Sequence, residues 1–250
     1  MARRQRWSFS AATVATVAAV AFGAPASAGA ATYTVDDLAD TDHGYPGSTC
    51  PSPCTLRDAI TAVNSGPGTG DAIAFSASGT IGVTSELPAI TQSVTIDGGA
   101  LGAIQLDSVE SLPSNALRLT GGSSTVRRLV ITRFAVGIAT LGPGAMSILD
   151  SIIGTNPRGD AGLGNSLGVH LRTPDSVVRG NVVAGNDSTG ILLESAPRAV
   201  IAGAHGNRIG FAAGREARFR SLVLTHRHRT ASRCGKEEVH GNAFGVPRGR

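Results

Sequence analysis

The sequence is poor in aromatic residues and almost free of lysine. Its one Trp is Trp7, within the first 28 residues, and its one Lys is Lys236. Surfaces that bind neutral sugars usually contain exposed Trp or Tyr rings, because these combine a large apolar face with a polar group. A strong neutral-glycan binding face is therefore not expected. We expect Phe75, Phe134 and Phe211 to fill the interior of the fold.

The chain also lacks an apolar run of the ~20 residues that a membrane-spanning helix needs. The shorter run Ser10–Phe22 follows three Arg residues and precedes Ala26-Ser-Ala28. A basic start, a short apolar run and an A-x-A site are typical of a secretory signal peptide. We therefore predict that residues 1–28 are a signal peptide and that the protein is secreted, to an extracellular or cell-surface location. The pair Arg3-Arg4 leaves the twin-arginine export route as an alternative.

Cysteine is scarce. Cys50 and Cys54 lie four residues apart, and Cys234 is left over. In a secreted chain such a close pair favours a disulfide, because the environment is oxidising. A zinc site would need two more ligands, and only His43 is in range. We predict an N-terminal loop over residues 29–54 that carries a Cys50–Cys54 disulfide.

The net charge of +4 is unevenly distributed. Residues 29–213 contain ten Arg, no Lys and fifteen Asp or Glu, which gives this part a net charge of −5. An acidic body binds phosphate backbones poorly, so we predict no nucleic-acid partner. The positive charge is concentrated in residues 214–250.

Four segments open with a related phrase, a small residue followed by alternating apolar and variable positions. They begin at Ala116, Gly137, Gly168 and Gly190, at spacings of 21, 31 and 22 residues. Alternation indicates a strand, and its return at the length of one chain circuit indicates stacked β-coils. We predict a right-handed parallel β-helix of about six coils over residues 71–213, with a core roughly 30 Å long at one strand spacing per coil.

A second apolar segment follows each opening phrase. Aligning these segments predicts one column of Leu129, Ser151, Asn181 and Asn207, and a later column of Phe134, Asn156 and Asn186. Like residues stacked one strand spacing apart are typical of parallel coils.

Residues 55–64 predict the one helix. Thr55 and Asp58 form a capping box, and Leu56, Ile60 and Val63 fall on one face. A short one-sided helix before a repeat array suits a cap over the first coil, where apolar surface would otherwise be exposed.

This N-terminal region resembles the CSLREA-type secreted proteins. The matching segments, in order, are Cys54-Thr-Leu-Arg-Asp-Ala-Ile60, Gly70-Asp-Ala-Ile-Ala-Phe75, Leu87-Pro-Ala-Ile-Thr91 and Val94-Thr-Ile-Asp-Gly98. Thr55 stands where that motif has Ser, and Asp58 where it has Glu. The resemblance implies a pectate-lyase-like solenoid and an extracellular setting. It implies no reaction, because this fold serves both enzymes and adhesins.

The resemblance ends near Gly214. Residues 214–250 form an atypical segment with an excess of Arg and His, and a basic tail is one explanation. The abrupt change of composition and the loss of the repeat favour the other explanation, a reading-frame shift that truncates a longer β-helix gene. His226, His228 and Cys234 lack the spacing of a tetrahedral metal site.

Few residues suggest chemistry. If the protein is an enzyme, the candidates are Asp150 and Glu194 as acids or cation ligands, and Arg172 or Arg179 as base or carboxylate clamp. The structural interpretation makes them cross-coil ion pairs, such as Arg172 with Glu194 and Arg128 with Asp150. His170 is expected on the outward side of its strand. Asp97 is interpreted as a turn former.

The N-terminal loop contains Asp36, Asp37, Asp40 and Asp42, whose oxygens could hold calcium. Solvated loop carboxylates are the simpler interpretation, and no other cofactor is expected. Two functions stay open. One is a non-catalytic repeat protein that presents an extended face to polysaccharide or another cell-surface component. The other is a lyase or glycoside hydrolase acting on acidic polysaccharide.

Overall fold

The chain forms the predicted parallel β-helix, seen in a computed structural model. The structure describes residues 29–68, 70–109, 114–201, 207–209, 220–225, 238–239 and 243–244. Every strand pairing in the described residues is parallel, and the strands form three sheets, A, B and C.

Each sheet is a stack of one strand per coil. Sheet A contains, in stacking order, β1 (Thr32–Val35), β2 (Asp71–Phe75), β4 (Val94–Asp97), β7 (Thr125–Arg127), β10 (Ser147–Leu149), β13 (Val177–Arg179), β16 (Val200–Ile201) and β19 (Glu238–Val239). Sheet B contains β3 (Gly79–Val83), β5 (Ile104–Ser108), β8 (Leu129–Thr132), β11 (Ile152–Ile153), β14 (Val182–Val183), β17 (Arg208–Ile209) and β20 (Ala243–Phe244). Sheet C contains β6 (Asn115–Leu119), β9 (Val136–Thr140), β12 (Leu167–Leu171), β15 (Thr189–Glu194) and β18 (Arg220–Thr225).

The chain visits sheets A, B and C in turn, so apolar side chains of successive coils stack inside. On sheet A the inward column is fully buried and consists of Ile73, Ile96, Val126, Ile148, Val178 and Ile201. Such columns remove a continuous apolar surface from water without a globular core.

A ladder of buried polar side chains stabilises the corner between sheets A and B. Asn207 Oδ1 accepts hydrogen bonds from the backbone N and from Nδ2 of Asn181, both at 3.0 Å. Asn181 Oδ1 in turn accepts from Ser151 N at 2.9 Å, and Ser151 Oγ accepts from Leu129 N at 3.3 Å. The predicted column is therefore present, and it satisfies backbone groups that the corner takes out of the sheets.

The second predicted column needs a correction, because its middle member is Asn165 and not Asn156. Asn165 is fully buried, accepts a hydrogen bond from Phe134 N at 3.0 Å and donates one to Asn186 Oδ1 at 3.0 Å. Asn156 instead lies in a loop, where it hydrogen-bonds to Asp160. This coil, the one of 31 residues, carries its extra length between β11 and β12, and the aligned Asn lies at the far end of that insertion.

The glycines that begin two of the opening phrases, Gly137 and Gly168, pack against a neighbouring coil. A Cβ at Gly137 would lie 2.6 Å from the carbonyl oxygen of Gly168, and one at Gly168 would lie 2.4 Å from that of Gly190. Side chains larger than a hydrogen therefore do not fit at these positions without a shift of the coils.

The N-terminal end is closed by helix α1 (Leu56–Ser65). Its N-cap is Thr55, and the predicted capping box with Asp58 is present. Leu56, Ala59, Ile60 and Val63 are buried and belong to the main core cluster. The helix thus covers the apolar end of the first coil.

The region before α1 is more ordered than a loop. It contributes β1, which pairs with β2 and extends sheet A by one strand. The predicted disulfide between Cys50 and Cys54 is confirmed.

Beyond residue 213, strands β18, β19 and β20 add to sheets C, A and B. The parallel pairing thus continues into the segment predicted to be an atypical tail. Whether that segment is in its native reading frame stays a hypothesis. Residues 1–28, His226, His228, Cys234 and Phe211 lie outside the described residues.

Candidate functional site

The outer surface of sheet C carries exposed charged side chains next to small and apolar ones. Register places Arg118, Ala139, His170 and Leu192 in one outward column, because Arg118 pairs with Ala139, and His170 pairs with both Ala139 and Leu192. The inward neighbours Leu119, Leu171 and Leu193 are buried. We call Arg118, Ala139, His170, Arg172, Leu192 and Glu194 the sheet C face.

Three charged or titratable side chains converge at one point of this face. Leu171 pairs with Leu193, so the residues that follow them, Arg172 and Glu194, lie side by side on successive coils. Glu194 Oε2 lies 3.2 Å from Arg172 Nε and 3.0 Å from His170 Nε2. One carboxylate oxygen thus holds both an imidazole and a guanidinium in place.

This group is neither buried nor fully solvated. The side chains of His170 and Glu194 are 21% and 24% exposed, and that of Arg172 is 42% exposed. The backbone N of Arg172 donates to Thr140 Oγ1 at 3.0 Å, which fixes where the side chain begins. The Arg172 side chain is therefore fixed at its backbone end, and its guanidinium is accessible to a ligand.

A second cation lies two coils away on the same face. Arg118 has a side chain 48% exposed, and its Nε is 3.9 Å from Glu86 Oε1. At ~4.8 Å per coil, the Arg118 and His170 backbones are roughly 10 Å apart. Ala139, a small side chain, lies between them in the column.

The other two candidate residues lie elsewhere. Arg179 ends β13 of sheet A, and Asp150 follows β10 at the corner between sheets A and B. Asp150 N donates to Arg179 O at 3.0 Å, and both side chains are exposed. The four candidates therefore form two pairs on different corners of the coil, Arg172 with Glu194 and Arg179 beside Asp150.

Arg128 does not pair with Asp150, contrary to the sequence interpretation. It turns to the coil below and binds Asp97, which also accepts from Arg127 Nε at 2.9 Å. Asp97 Oδ1 accepts from Gly99 N at 3.0 Å as well, as a turn-forming aspartate does. Burial alone would raise the pKa of Asp97, but these hydrogen bonds from Gly99 and the two arginines hold it below its usual range.

The four aspartates of the N-terminal loop are each engaged locally. Asp36 Oδ1 accepts from Cys54 N at 2.7 Å, and Asp37 and Asp42 each accept from a backbone N two residues ahead. Asp40 pairs with Arg57. Within the part of the chain that is described, no three His, Cys, Asp or Glu side chains come together as a metal site would require.

The residues of the CSLREA-like segment have structural contacts. Thr55 and Asp58 cap the helix, and Arg57 reaches three oxygen groups beyond Asp40, namely Ser85 O, Ser85 Oγ and Glu86 O, at 2.9–3.0 Å. Asp58 Oδ2 also lies 2.6 Å from His43 Nδ1. The sequence predicts the capping box, but it gives no sign of the Arg57–Asp40 and Asp58–His43 contacts, because their partners lie in a loop without periodicity.

The chain is similar to two solved structures. No family model and no curated protein matches the chain. Among solved structures, an alginate lyase from Paenibacillus sp. str. FPU-7 is similar at 18% identity and a TM-score of 0.47, over 76% of this chain and 64% of that one. ORF18 of Geobacillus virus E2 is similar at 15% identity and a TM-score of 0.46, over 66% of this chain and 36% of that one. The chain thus spans less than two thirds of the length of either.

These likenesses are too weak to carry an argument about activity. Among the described residues, no helix is long and apolar enough to cross a membrane.

Proposed function

We propose that this chain is a secreted protein of the CSLREA type that binds acidic polysaccharide through the sheet C face without cleaving it. The observation that carries the proposal is the convergence of His170 and Arg172 on Glu194, all three partly exposed, on a face that also contains Ala139 and Leu192. An accessible guanidinium recognises carboxylates in bidentate fashion.

The shape and charge of the face support this ligand class. Cations at Arg118 and Arg172 lie on different coils, so an extended chain that runs along the stack can contact both. Neighbouring aliphatic side chains, Ala139 and Leu192, give the apolar faces of sugar rings a contact surface. No aromatic residue belongs to the face, so a neutral sugar finds no aromatic ring to pack against. A uronate carboxylate can instead pair with Arg118 or Arg172.

The state of Glu194 supports binding over hydrolysis. A glycoside hydrolase needs two carboxylates roughly 5–10 Å apart on either side of the scissile bond. Glu194 is engaged by His170 and Arg172, and Asp150 belongs to another corner of the coil. Among the described residues, the sheet C face therefore provides one carboxylate, which positions His170 and Arg172, and no second acid beside it.

A lyase is the second candidate, and the His170–Glu194 contact favours it over a hydrolase. A histidine oriented by a carboxylate can act as a base, and Arg172 could neutralise a uronate carboxylate. This reaction needs proton abstraction next to that carboxylate, followed by loss of the glycosidic oxygen, and it leaves an unsaturated sugar end.

One set of measurements tests both candidates. Purified full-length mature protein is titrated with polygalacturonate, alginate and neutral dextran by calorimetry, and the same mixtures are followed by ultraviolet absorbance for unsaturated ends. We expect binding to the two polyuronates, no binding to dextran and no absorbance change. Growth of absorbance would replace the binding role by the lyase role, and absence of polyuronate binding in folded protein would remove the proposal.

Two variants locate the site. Arg172→Gln is expected to weaken polyuronate binding about tenfold, the effect of losing roughly 1.4 kcal/mol of charge-assisted hydrogen bonding. Arg158→Gln removes the same charge from the exposed loop between β11 and β12 and serves as the matched control. Equal affinities for the two variants would place the site off sheet C.

A further inference from the structure

The buried carboxylate of Asp71 has one oxygen without a partner. Asp71 begins β2 and is 1% exposed. Its Oδ1 accepts a hydrogen bond from Ala31 N at 2.8 Å, while Oδ2 finds no hydrogen-bond partner among the described residues. An ionised carboxylate taken out of water with one oxygen unpaired is costly, so a cation is expected beside it.

The Asp71 carboxylate affects the pKa of a neighbouring side chain. Burial and the negative charge of Asp71 together raise the pKa of Tyr33 on the adjacent strand β1. Residues 29–213 contain no Lys that could supply a compact ammonium. The α-amino group at the start of the mature chain is therefore the remaining ammonium that residues 29–213 can supply.

The predicted signal-peptide cleavage would create such a group close by. Cleavage after Ala28 makes Gly29 the first residue, two positions before Ala31. Two residues span at most ~7 Å, so the new amino group can reach the carboxylate that Ala31 already contacts. Gly29 and Ala30 are exposed, and a Cβ on Gly29 would meet nothing within 4 Å, so the terminus has room to turn.

We propose that signal-peptide removal generates an α-ammonium on Gly29 that forms an ion pair with Asp71 Oδ2 and locks β1 onto the first coil. A signal peptidase hydrolyses the Ala28–Gly29 peptide bond. Water supplies the hydroxyl to the Ala28 carboxyl and a proton to the Gly29 nitrogen, which takes up a second proton from solvent at neutral pH. Maturation and closure of the N-terminal end are then one event. In the precursor this nitrogen is an uncharged amide and cannot form the pair.

The first test is direct. N-terminal sequencing of the secreted protein is expected to give Gly29 as the first residue, and any other start overturns the proposal. In mature protein labelled with ¹⁵N-Gly, the α-amine pKa measured by NMR is expected above the ordinary range of about 7.7–8.0. An ordinary value in folded protein also overturns it.

The second test uses matched chains. Mature protein that starts at Gly29 is compared with the same protein acetylated on its α-amine and with a chain that starts at Ser27. We expect both altered chains to melt several degrees lower at pH 7. The gap is expected to close as the pH rises above about 8 through the raised pKa of the folded amine, because the ammonium is lost there. Equal melting temperatures at pH 7 would overturn the ion pair.

A carboxylate variant makes the assignment specific to Asp71. In Asp71→Asn, acetylation is expected to have no effect on melting, because the carboxylate charge is absent. If that variant does not fold, the NMR pKa and the acetylated wild-type chain still decide the question. Polyuronate binding at the sheet C face is expected to be the same in all folded chains, so failure of the ion pair is distinguishable from failure of the binding proposal.

Discussion

Two Arg–carboxylate pairs in this molecule share their chemistry and differ in their surroundings. Arg57 and Asp40 have side chains only 10% and 3% exposed, and Arg57 donates three hydrogen bonds to Asp40 and three more to Ser85 and Glu86. Arg172 and Glu194 are 42% and 24% exposed, and Arg172 Nε lies 3.2 Å from Glu194 Oε2. The Arg57 guanidinium is enclosed by its partners, whereas the Arg172 guanidinium is accessible to a ligand.

The contrast teaches where to search for function in a repeat fold. Buried pairs at the N-terminal end join the 29–54 segment, α1 and the first coil. Their removal is expected to lower the free energy of unfolding of the protein. The partly exposed pair of Arg172 and Glu194 joins adjacent strands of sheet C, and its removal is expected to change what the surface can bind. A sequence motif does not separate structural pairs from binding pairs. The CSLREA-like segment is the most recognisable part of the sequence, yet its Arg57 and Asp58 make structural contacts.

Removing Arg57 is expected to have the largest effect. Arg57→Gln leaves the Asp40 carboxylate buried without its cation, and loss of one partner of a buried pair costs about 3–5 kcal/mol. Chemical denaturation of the mature protein measures the change in the free energy of unfolding. Arg158→Gln, on an exposed loop, is the control and should stay within about 0.5 kcal/mol of wild type. A loss below about 1 kcal/mol for Arg57→Gln would contradict the structural role.

The corrected ladder gives the next largest effect. Asn165→Ala removes the acceptor of Phe134 N and leaves Asn186 Oδ1 with fewer donors, both in the buried interior. Unmade buried hydrogen bonds cost about 1–3 kcal/mol, and we expect a loss of about 2 kcal/mol. Asn156→Ala changes the same side chain on the loop and should cost less than about 1 kcal/mol. The reverse ranking would restore the original alignment.

The pH dependence of the free energy of unfolding gives a separate test of the N-terminal end. Burial alone would raise the pKa of Asp58, but hydrogen bonds from His43 and Thr55 hold it below its usual range. A carboxyl with a lowered folded pKa contributes stability that is present above its unfolded pKa and lost as the pH falls through the folded pKa.

The expected result is a wild-type protein whose free energy of unfolding drops below about pH 4, measured by denaturant titrations from about pH 7 to about pH 2. Asp58→Asn should start less stable at neutral pH and lose less over that interval. Asp42→Asn, at an exposed position in the same segment, is the control and should follow the wild-type curve. A parallel drop in Asp58→Asn would assign the acid sensitivity to other carboxyls.

Much of this architecture can be predicted from the sequence, because periodicity records which side chains stack. The phrase spacing predicts the coils, and the capping box predicts α1. The alignment of Ser151 with Asn181 and Asn207 predicts a ladder. These features depend on local pattern, and each coil repeats the pattern of the one before it.

The errors arise where the pattern offers two equal choices. The coil of 31 residues could place its insertion before or after the Asn column, and only packing selects Asn165. Arg128 lies between acids on both neighbouring coils, and it turns to Asp97, which Gly99 and Arg127 already hold in place. For the candidate residues, register predicts that Arg172 meets Glu194. The third partner, His170, reaches across from the adjacent outward position, which strand alternation alone does not show.

The smallest expected effect on stability comes from a substitution on the sheet C face. A small effect there would distinguish this face from the N-terminal end, where a large effect is expected. Arg172→Gln should change the free energy of unfolding by about 0–1 kcal/mol, because a partly exposed pair gains little in water and His170 still contacts Glu194. The same variant should lose about tenfold in polyuronate affinity, a binding change larger than its stability change. Arg57→Gln should show the opposite, with a large stability loss and unchanged affinity in the folded fraction. If Arg172→Gln instead unfolds the protein as readily as Arg57→Gln, the Glu194 group is a structural lock like the N-terminal one, and the binding surface has to be sought elsewhere.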